Sequence, residues 1–261
     1  MGCKLIRKRH GAVNGKPLWV EPDRPKPKAQ PVGEPMLLSV LIPAYQASET
    51  LSEAVESVLG CSMPLGWRLE VLIGVDGLAE QATEAVARDL AERDARVQVW
   101  SWPHSGTWRT TNRLLWLSRG ELVTRADADD LVREDRWRVL IELLAGADIA
   151  GTWHVRREAD GSESVRQVAP HGVMTYRRGV LVALGGWMPW ACAADTELYW
   201  RARGAGFIYA ESREPTYTYR QTPGESAKQL TARESLTGMG SAYRDELGAA
   251  LSRWHRDAIP R

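Results

Sequence analysis

Long apolar runs are missing from this 261-residue chain. No stretch approaches the roughly 18 to 20 consecutive apolar residues that span a bilayer, and the basic start is not followed by the apolar segment of a signal peptide. Membrane insertion and secretion lose support, and a cytoplasmic protein is expected. Cysteine is scarce: Cys3, Cys61 and Cys192 are widely spaced and form no C-x-x-C pair. That excludes a disulfide scaffold, a redox pair and a cysteine zinc knuckle, and it agrees with a reducing compartment. The opening Met1-Gly2-Cys3 lacks the Ser or Thr of a myristoylation signal at the sixth position, which is Ile6. Net charge is also small, at +1. Sequence-independent nucleic-acid binding needs a concentrated positive face, and no such partner is expected.

The charge that is present is unevenly placed. Residues 1–35 hold eight basic side chains against three acidic ones, which leaves 26 basic and 30 acidic residues for the remainder. Six of the fourteen prolines fall between Pro17 and Pro35. Residues 1–35 therefore read as a basic, Pro-rich arm or linker, at most a peripheral membrane contact, and 36–261 as one domain. Within the arm, Asn14-Gly15 lies between Lys4–Arg9 and Lys16–Val20, and either a small hairpin or disorder suits it. Twelve Trp stand beside a single Phe. Such a surplus serves either a ring-binding surface or a Trp-rich core.

From Leu37 onward strand and helix signals alternate. Leu37–Ile42 is a short apolar run of the buried parallel-strand kind, ended by Pro43. Ser48 is placed to cap a helix with apolar positions Leu51, Ala54, Val55, Val58 and Leu59, closed by Gly60. Strands at Leu69–Val75, Val97–Trp100 and Glu121–Arg125 and helices at Ala79–Arg93 and Thr107–Ser118 complete a β-α-β-α-β-α-β unit, the pattern of an open doubly wound sheet. Ligands of such sheets sit beyond the carboxyl ends of the strands. Those ends carry Pro43-Ala44-Tyr45-Gln46, Asp76-Gly77 and Arg125-Ala126-Asp127-Ala128-Asp129-Asp130. Three carboxylates in four positions repel one another unless solvated or neutralised by a cation, for which a hard divalent ion is the simplest choice. The other reading has Asp129 or Asp130 capping a helix that begins near Arg133.

The succession Ser39–Gln46, Val75-Asp76-Gly77, Gly106 with Thr111-Asn112-Arg113, and Gly120-Glu121 leading to Asp127-Ala128-Asp129-Asp130 resembles the nucleotide-binding half of the family 2 glycosyltransferases. His171–Arg178, Leu184-Gly185-Gly186-Trp187 and Ala194-Asp195-Thr196-Glu197-Leu198 are similar to the acceptor-side segment of the same enzymes. The resemblance implies an α/β, GT-A type open mixed sheet, with a Rossmann-like nucleotide-sugar-binding half over 36–150 and a smaller acceptor half over 151–261. It further implies inverting transfer from a nucleotide-diphosphate sugar, UDP-linked in the first instance, to a glycan, protein or lipid-linked acceptor.

By the same resemblance, Pro43, Ala44, Tyr45, Asp76, Asn112, Arg125, Asp127 and Arg220 are donor-binding candidates. Asp129 and Asp127 are candidate ligands of Mn²⁺ or Mg²⁺, and Asp130 is read as a helix cap. Asp195 is the expected general base. It follows Ala194 where relatives carry an acid, and Glu197 stands in reserve; a cap for the helix Thr196–Arg203 is its other role. Trp187 and Trp190 are candidate acceptor platforms, with core packing as their alternative. Many relatives carry a Tyr-Arg-x-His element where this chain has Tyr219-Arg220-Gln221-Thr222. A final helix over Ala227–Trp254 is expected to cover the acceptor half or support a homo-oligomer. Two other readings remain: a non-catalytic nucleotide-sugar or glycan-binding protein of the same fold, and a nucleotidyltransferase. The second is disfavoured because no Gly-rich phosphate loop follows the first strand.

Overall fold

The computed structural model describes residues 12–13, 16–17, 35–158, 160–166, 173–188 and 194–220. In the arm, β1 (Ala12–Val13) and β2 (Lys16–Pro17) pair antiparallel with Val13 opposite Lys16. The hairpin alternative is thus met by two strands of two residues each, while Asn14 and Gly15 lie outside the described residues.

The main sheet starts with β3 (Met36–Ala44), β4 (Trp67–Asp76), β5 (Val97–Trp102) and β6 (Leu122–Arg125). They run parallel in the spatial order β5-β4-β3-β6. Val40, Leu41, Ile42, Val71, Leu72 and Ile73 are all fully buried, because helices cover both faces of a parallel sheet. Those helices are α1 (Leu51–Leu59), α2 (Gln81–Arg93) and α3 (Thr107–Leu117). The helix expected from Ser48 instead has Thr50 at its N-cap, without a side-chain cap bond.

After β6 the chain departs from a simple doubly wound pattern. β7 (Leu131–Val132) precedes α4 (Arg136–Leu144), and β8 (Ile149–Arg157), β9 (Glu163–Arg166), β10 (Thr175–Arg177), α5 (Arg178–Leu184), α6 (Ala194–Gly204) and β11 (Tyr209–Arg220) follow. The sheet continues as β6-β10-β8-β11-β7, with β9 paired to β8. β10 lies antiparallel to both β6 and β8, whereas β8 and β11 run parallel, so the open sheet is mixed, as expected. The helix expected near Arg133 begins only at Arg136, because Leu131 and Val132 first pair with Thr218 and Tyr217 of β11. Asp130 therefore caps no helix. Among the described residues no helix is long and apolar enough to cross a membrane. The expected helix Ala227–Trp254, Cys192 and His171 lie outside the described residues.

Part of the Trp surplus goes into the core: Trp137 is fully buried and donates its indole N–H to Val58 O at 3.3 Å. Far from the strand carboxyl ends, buried Glu70 accepts from Ser39 Oγ at 2.6 Å and from the Arg119 amide at 2.7 Å. Ser39 Oγ in turn accepts the Gly120 amide at 2.8 Å. A Cβ on Gly120 would stand 2.5 Å from Leu37 O and 2.7 Å from Ser39 N, both backbone atoms that cannot swing aside. Gly120→Ala is expected to destabilise the protein by about 1–3 kcal/mol, the usual cost of overpacking. Chemical denaturation checks this, and an unchanged midpoint would contradict so close an approach of β3 to residue 120.

Candidate active site

The order β5-β4-β3-β6 makes the gap between β3 and β6 the point where the chain reverses its winding direction, and side chains from both strand ends meet beyond it. Pro43 and Ala44 close β3 there, and Tyr45 projects past it, 48% exposed. The turn that presents Tyr45 is held by two amide bonds. The Gln46 N–H donates to Glu80 at 3.1 Å and the Ala47 N–H to Thr83 Oγ1 at 3.1 Å. Gln46 pays for this turn with a φ of 51°, a left-handed conformation that non-glycine residues seldom adopt.

Asp76, at the end of β4, is 2% exposed. Its Oδ1 accepts the Ser105 N–H at 2.8 Å and the Ser105 hydroxyl at 3.2 Å. Oδ2 accepts the Gly106 N–H at 2.8 Å and faces His104 Nδ1 at 3.1 Å. Asp76 thereby latches the β5–α3 loop. Arg113 supports the loop from behind, donating to Ser105 Oγ at 3.0 Å with its guanidinium 5.4 Å from the Trp102 ring. His104 in turn lies against Tyr45, with ring centroids 4.5 Å apart.

At the end of β6, Arg125 is buried and its Nη2 reaches both Asp127 oxygens, at 2.8 and 2.9 Å. The Trp108 ring lies 4.6 Å from this guanidinium. Burial opposes the Arg125 charge, but the fields of Asp127, Asp195, Tyr217 and Asp130 outweigh it and hold the group above the ordinary arginine range. Asp195, 70 positions away in the chain, thus adds its field to that of the aspartate run at Arg125. Asp130 is buried, and its Oδ1 accepts the Arg220 N–H at 2.8 Å. Burial, and then the charges of Asp127 and Asp129, push the Asp130 carboxyl well above the usual carboxylate range. Arg220 also donates from Nε to the Asp129 carbonyl and pairs through Nη1 with Glu53 of α1. Its Nη2 is buried with no hydrogen-bond partner among the described residues.

Asn112 is spent on its neighbour. Its amide accepts the Trp187 N–H at 2.9 Å and donates to Trp187 O at 2.7 Å, so it fastens the turn after α5. The donor-side expectation for Asn112 finds both ends of its amide already engaged. Trp187 departs from the acceptor-platform expectation as well. It is 2% exposed, packed 6.5 Å from the Trp108 ring and edge-on to Tyr176 at 6.0 Å, and so backs the Arg125 site from within the core. Trp190 lies outside the described residues. Gly186 holds φ 79°, and a Cβ there would stand 2.3 Å from Asn112 Oδ1. Gly186→Ala is expected to break the Asn112 clamp and lower stability by roughly 2 kcal/mol, from left-handed strain plus a lost side-chain bond. A thermal unfolding series with Asn112→Ala as the second leg of a double-mutant cycle checks it; additive losses would deny the coupling.

Asp195 sits inside the first turn of α6, since the helix begins at Ala194, so it is not the residue that caps it. It is half-buried, and its charge bears on both Arg125 and Tyr176. The reserve candidate Glu197 is buried and committed: both oxygens face Arg201, at 2.6 and 2.8 Å, while the same guanidinium donates to Leu184 O and Gly186 O. The fork that fixes Glu197 leaves it no part in proton transfer. Among the described residues no group of three or more His, Cys, Asp or Glu is disposed to hold a metal ion. Asp127 and Asp129 supply two hard carboxylate groups, a donor set that suits Mg²⁺ or Mn²⁺ when substrate phosphates complete the shell.

Trp108, Tyr176, Tyr217, Arg136 and His104 escape the sequence reading. Tyr217 accepts the Asp127 N–H at 3.1 Å through its hydroxyl. Arg136 is wholly buried 5.0 Å from the Tyr217 ring, donates to Thr152 and Thr216 at 3.1 Å, and is brought down to about 10 by burial. Only His104 carries a sequence signal: it lies just past β5, the strand-end placement that also marks Asp76 and Asp127.

Comparison with known proteins bears on this arrangement. The chain is 27% identical over 126 residues to the uncharacterized glycosyltransferase EpsJ of Bacillus subtilis (strain 168), a match covering 48% of this chain and 36% of EpsJ. It is 26% identical over 130 residues to the glycosyltransferase GlyG of Streptococcus pneumoniae serotype 4, covering 48% of this chain and 42% of GlyG. The match thus spans less than half the length of either relative. In structure it is similar to S. aureus TarS 1–349 in complex with UDP-GlcNAc, with a TM-score of 0.63 at 17% identity over 74% of this chain and 61% of that one. It is also similar to the mannosyltransferase PcManGT from Pyrobaculum calidifontis in complex with GDP-Man and Mn²⁺, with a TM-score of 0.61 at 17% identity over 80% and 64% of the two chains. At such identities the likeness establishes the GT-A fold. The family model for glycosyl transferase family 2 matches residues 39–192, more than half of the chain and the stretch from within β3 past the Trp187 turn, and the chain belongs to that family.

Proposed function

We propose that this protein is a metal-dependent, inverting glycosyltransferase that moves a sugar from a nucleotide-diphosphate sugar, UDP-linked in the first instance, to an acceptor hydroxyl. The observation that carries this reading is the shared guanidinium of Arg125, which holds Asp127 at 2.8 Å and lies in the field of Asp195. One buried cation thereby holds a donor-side carboxylate and responds to the charge of the base candidate. Asp195 takes the proton of the acceptor hydroxyl as the acceptor oxygen bonds to the anomeric carbon and the bond to the diphosphate breaks on the opposite face. The Trp108–Trp187 pair behind Arg125 restricts the guanidinium, so little reorganisation accompanies the charge shift. The Nη2 of Arg220, unpartnered among the described residues, is the cationic donor we assign to the diphosphate. Asp129 and Asp127 would hold a Mn²⁺ or Mg²⁺ ion, which when bound neutralises the leaving diphosphate as a Lewis acid. UDP-GlcNAc on TarS, and GDP-Man with Mn²⁺ on PcManGT, support a donor of this class. The acceptor is a glycan, protein or lipid-linked hydroxyl met in the cytoplasm, with no nucleic acid involved.

Incubation with a panel of nucleotide sugars in Mn²⁺, read by release of free nucleoside diphosphate, tests the reading. Release that disappears with EDTA supports it. Tight binding without release across the panel would favour a non-catalytic nucleotide-sugar-binding protein.

A further inference from the structure

A carboxylate attracts a metal ion through its charge, and the attraction weakens when another cation already faces the same oxygens. Arg125 is such a cation. Its Nη2 donates to Asp127 Oδ2 at 2.9 Å and lies 2.8 Å from Oδ1, so one positive group stands against both oxygens. The Asp127 side chain is 29% exposed and that of Arg125 only 8%. Solvent, and any ion dissolved in it, reaches the carboxylate but hardly reaches its partner.

The guanidinium has little freedom to withdraw. It lies 4.6 Å from the Trp108 ring, Trp108 stacks on Trp187 at 6.5 Å, and Asn112 clamps the Trp187 backbone through both ends of its amide. A guanidinium also keeps its proton throughout the working pH range, so Arg125 cannot release Asp127 by becoming neutral. Among the described residues no group of three or more His, Cys, Asp or Glu is disposed to hold an ion. Of the two candidate carboxylates, Asp127 already has its counter-charge.

We infer that Arg125 withholds Asp127 from a free divalent ion and thereby keeps the protein from loading metal by itself. By the nucleotide-sugar reading, on which the next step rests, the site takes the metal together with a diphosphate, whose oxygens restore the negative charge that Arg125 has answered. The species admitted is the metal–nucleoside diphosphate complex rather than the bare ion. Arg125 acts through Asp127, as a positioning residue that sets what the aspartate run accepts.

Electron paramagnetic resonance of free Mn²⁺, titrated into the whole protein with and without UDP, is the test, and it reads metal retention rather than transfer. UDP is expected to tighten Mn²⁺ retention by the wild type about tenfold or more. Arg125→Met keeps a long side chain under Trp108 and removes the charge. Without nucleotide it should bind Mn²⁺ about tenfold more tightly than the wild type, the effect of one unit charge on a divalent ion a few ångströms away through water. Arg125→Lys retains the charge and should stay at the wild-type affinity, which separates charge from packing. Arg125→Met joined with Asp127→Asn puts a neutral pair where the ion pair was, a replacement that folded proteins tolerate, and it should lose the gain, which locates the effect at Asp127. An Arg125→Met protein that holds Mn²⁺ no more tightly than the wild type overturns the inference. So does a Lys variant that gains as much as the Met variant, or a double variant that keeps the gain. A wild type that saturates with Mn²⁺ alone in the micromolar range overturns it without recourse to any variant. If Arg125→Met gains affinity but UDP tightens nothing, the nucleotide-sugar reading fails while Arg125 stands as the competitor for Asp127.

Discussion

Replacing Asp195 by Asn is expected to lower sugar transfer by roughly 10² to 10⁴ while leaving nucleotide binding close to that of the wild type, the signature of a lost general base. Asn is nearly isosteric, so the first turn of α6 keeps its shape, but its amide takes no proton from an acceptor hydroxyl. The expected pattern is a fall in kcat with little change in donor Kd. Glu197 gives no rescue, because Arg201 holds both of its oxygens. Single-turnover transfer beside a calorimetric Kd checks the pattern, and a normal transfer rate in the variant places the base elsewhere. The variant also removes one of the charges that sustain the buried Arg125 cation. Asp127 and the Trp108 face remain to hold it, so only a modest loss of stability is expected.

Asp129→Ala is the second large effect. It is expected to weaken Mn²⁺-supported nucleoside diphosphate binding by roughly 10² or more, since loss of even an outer-shell partner of a metal costs 10- to 100-fold. Ala retains the Asp129 backbone carbonyl that accepts from Arg220 Nε, so that contact survives the change. Asp127→Ala is the informative contrast. It should cost nucleotide affinity and, in addition, on the order of 2 kcal/mol of stability, because it takes a hydrogen-bonded partner from a buried Arg125. Titration of Mn²⁺ and UDP into each variant, with denaturation curves alongside, separates the two roles. Unchanged metal-supported affinity in Asp129→Ala refutes its assignment as a ligand.

Each fate in this site has a definite reach in the sequence. Residues bound to strand ends were legible: apolar runs such as Leu37–Ile42 and Leu69–Val75 announce buried parallel strands, and chemistry at the carboxyl end of such strands is a general consequence of the topology. Tyr45, Asp76, Arg125 and Asp127 follow from that rule. The mixed continuation of the sheet was less legible. β7 is two residues long, too short for a periodic signal, and exists because β11 offers it a partner from 85 residues further along. The misplacement of the following helix at Arg133, and of Asp130 as its cap, has that cause. The resemblance names Trp187 and Asn112, but whether a Trp faces a ligand or the core depends on what packs against it. Trp108 and Tyr176 lie 79 and 11 positions away.

By itself the sequence determined the alternating α/β order, the basic Pro-rich character of residues 1–35, the scarcity of cysteine and long apolar runs, and the clustering of aspartates after the fourth parallel strand. Local patterns carry these, because helix and strand periods, Pro and Gly punctuation and strand-end placement act over a few residues. Only the tertiary structure decided which polar atoms are already spent. The Asp76 carboxylate accepts from Ser105 and Gly106, Asn112 is engaged by Trp187, and Glu197 by Arg201, while Asp195 comes within the field of Arg125. The physical reason is that a hydrogen-bonding group has a fixed number of lone pairs and protons, and which partners claim them is set by side chains brought together across tens of residues of chain.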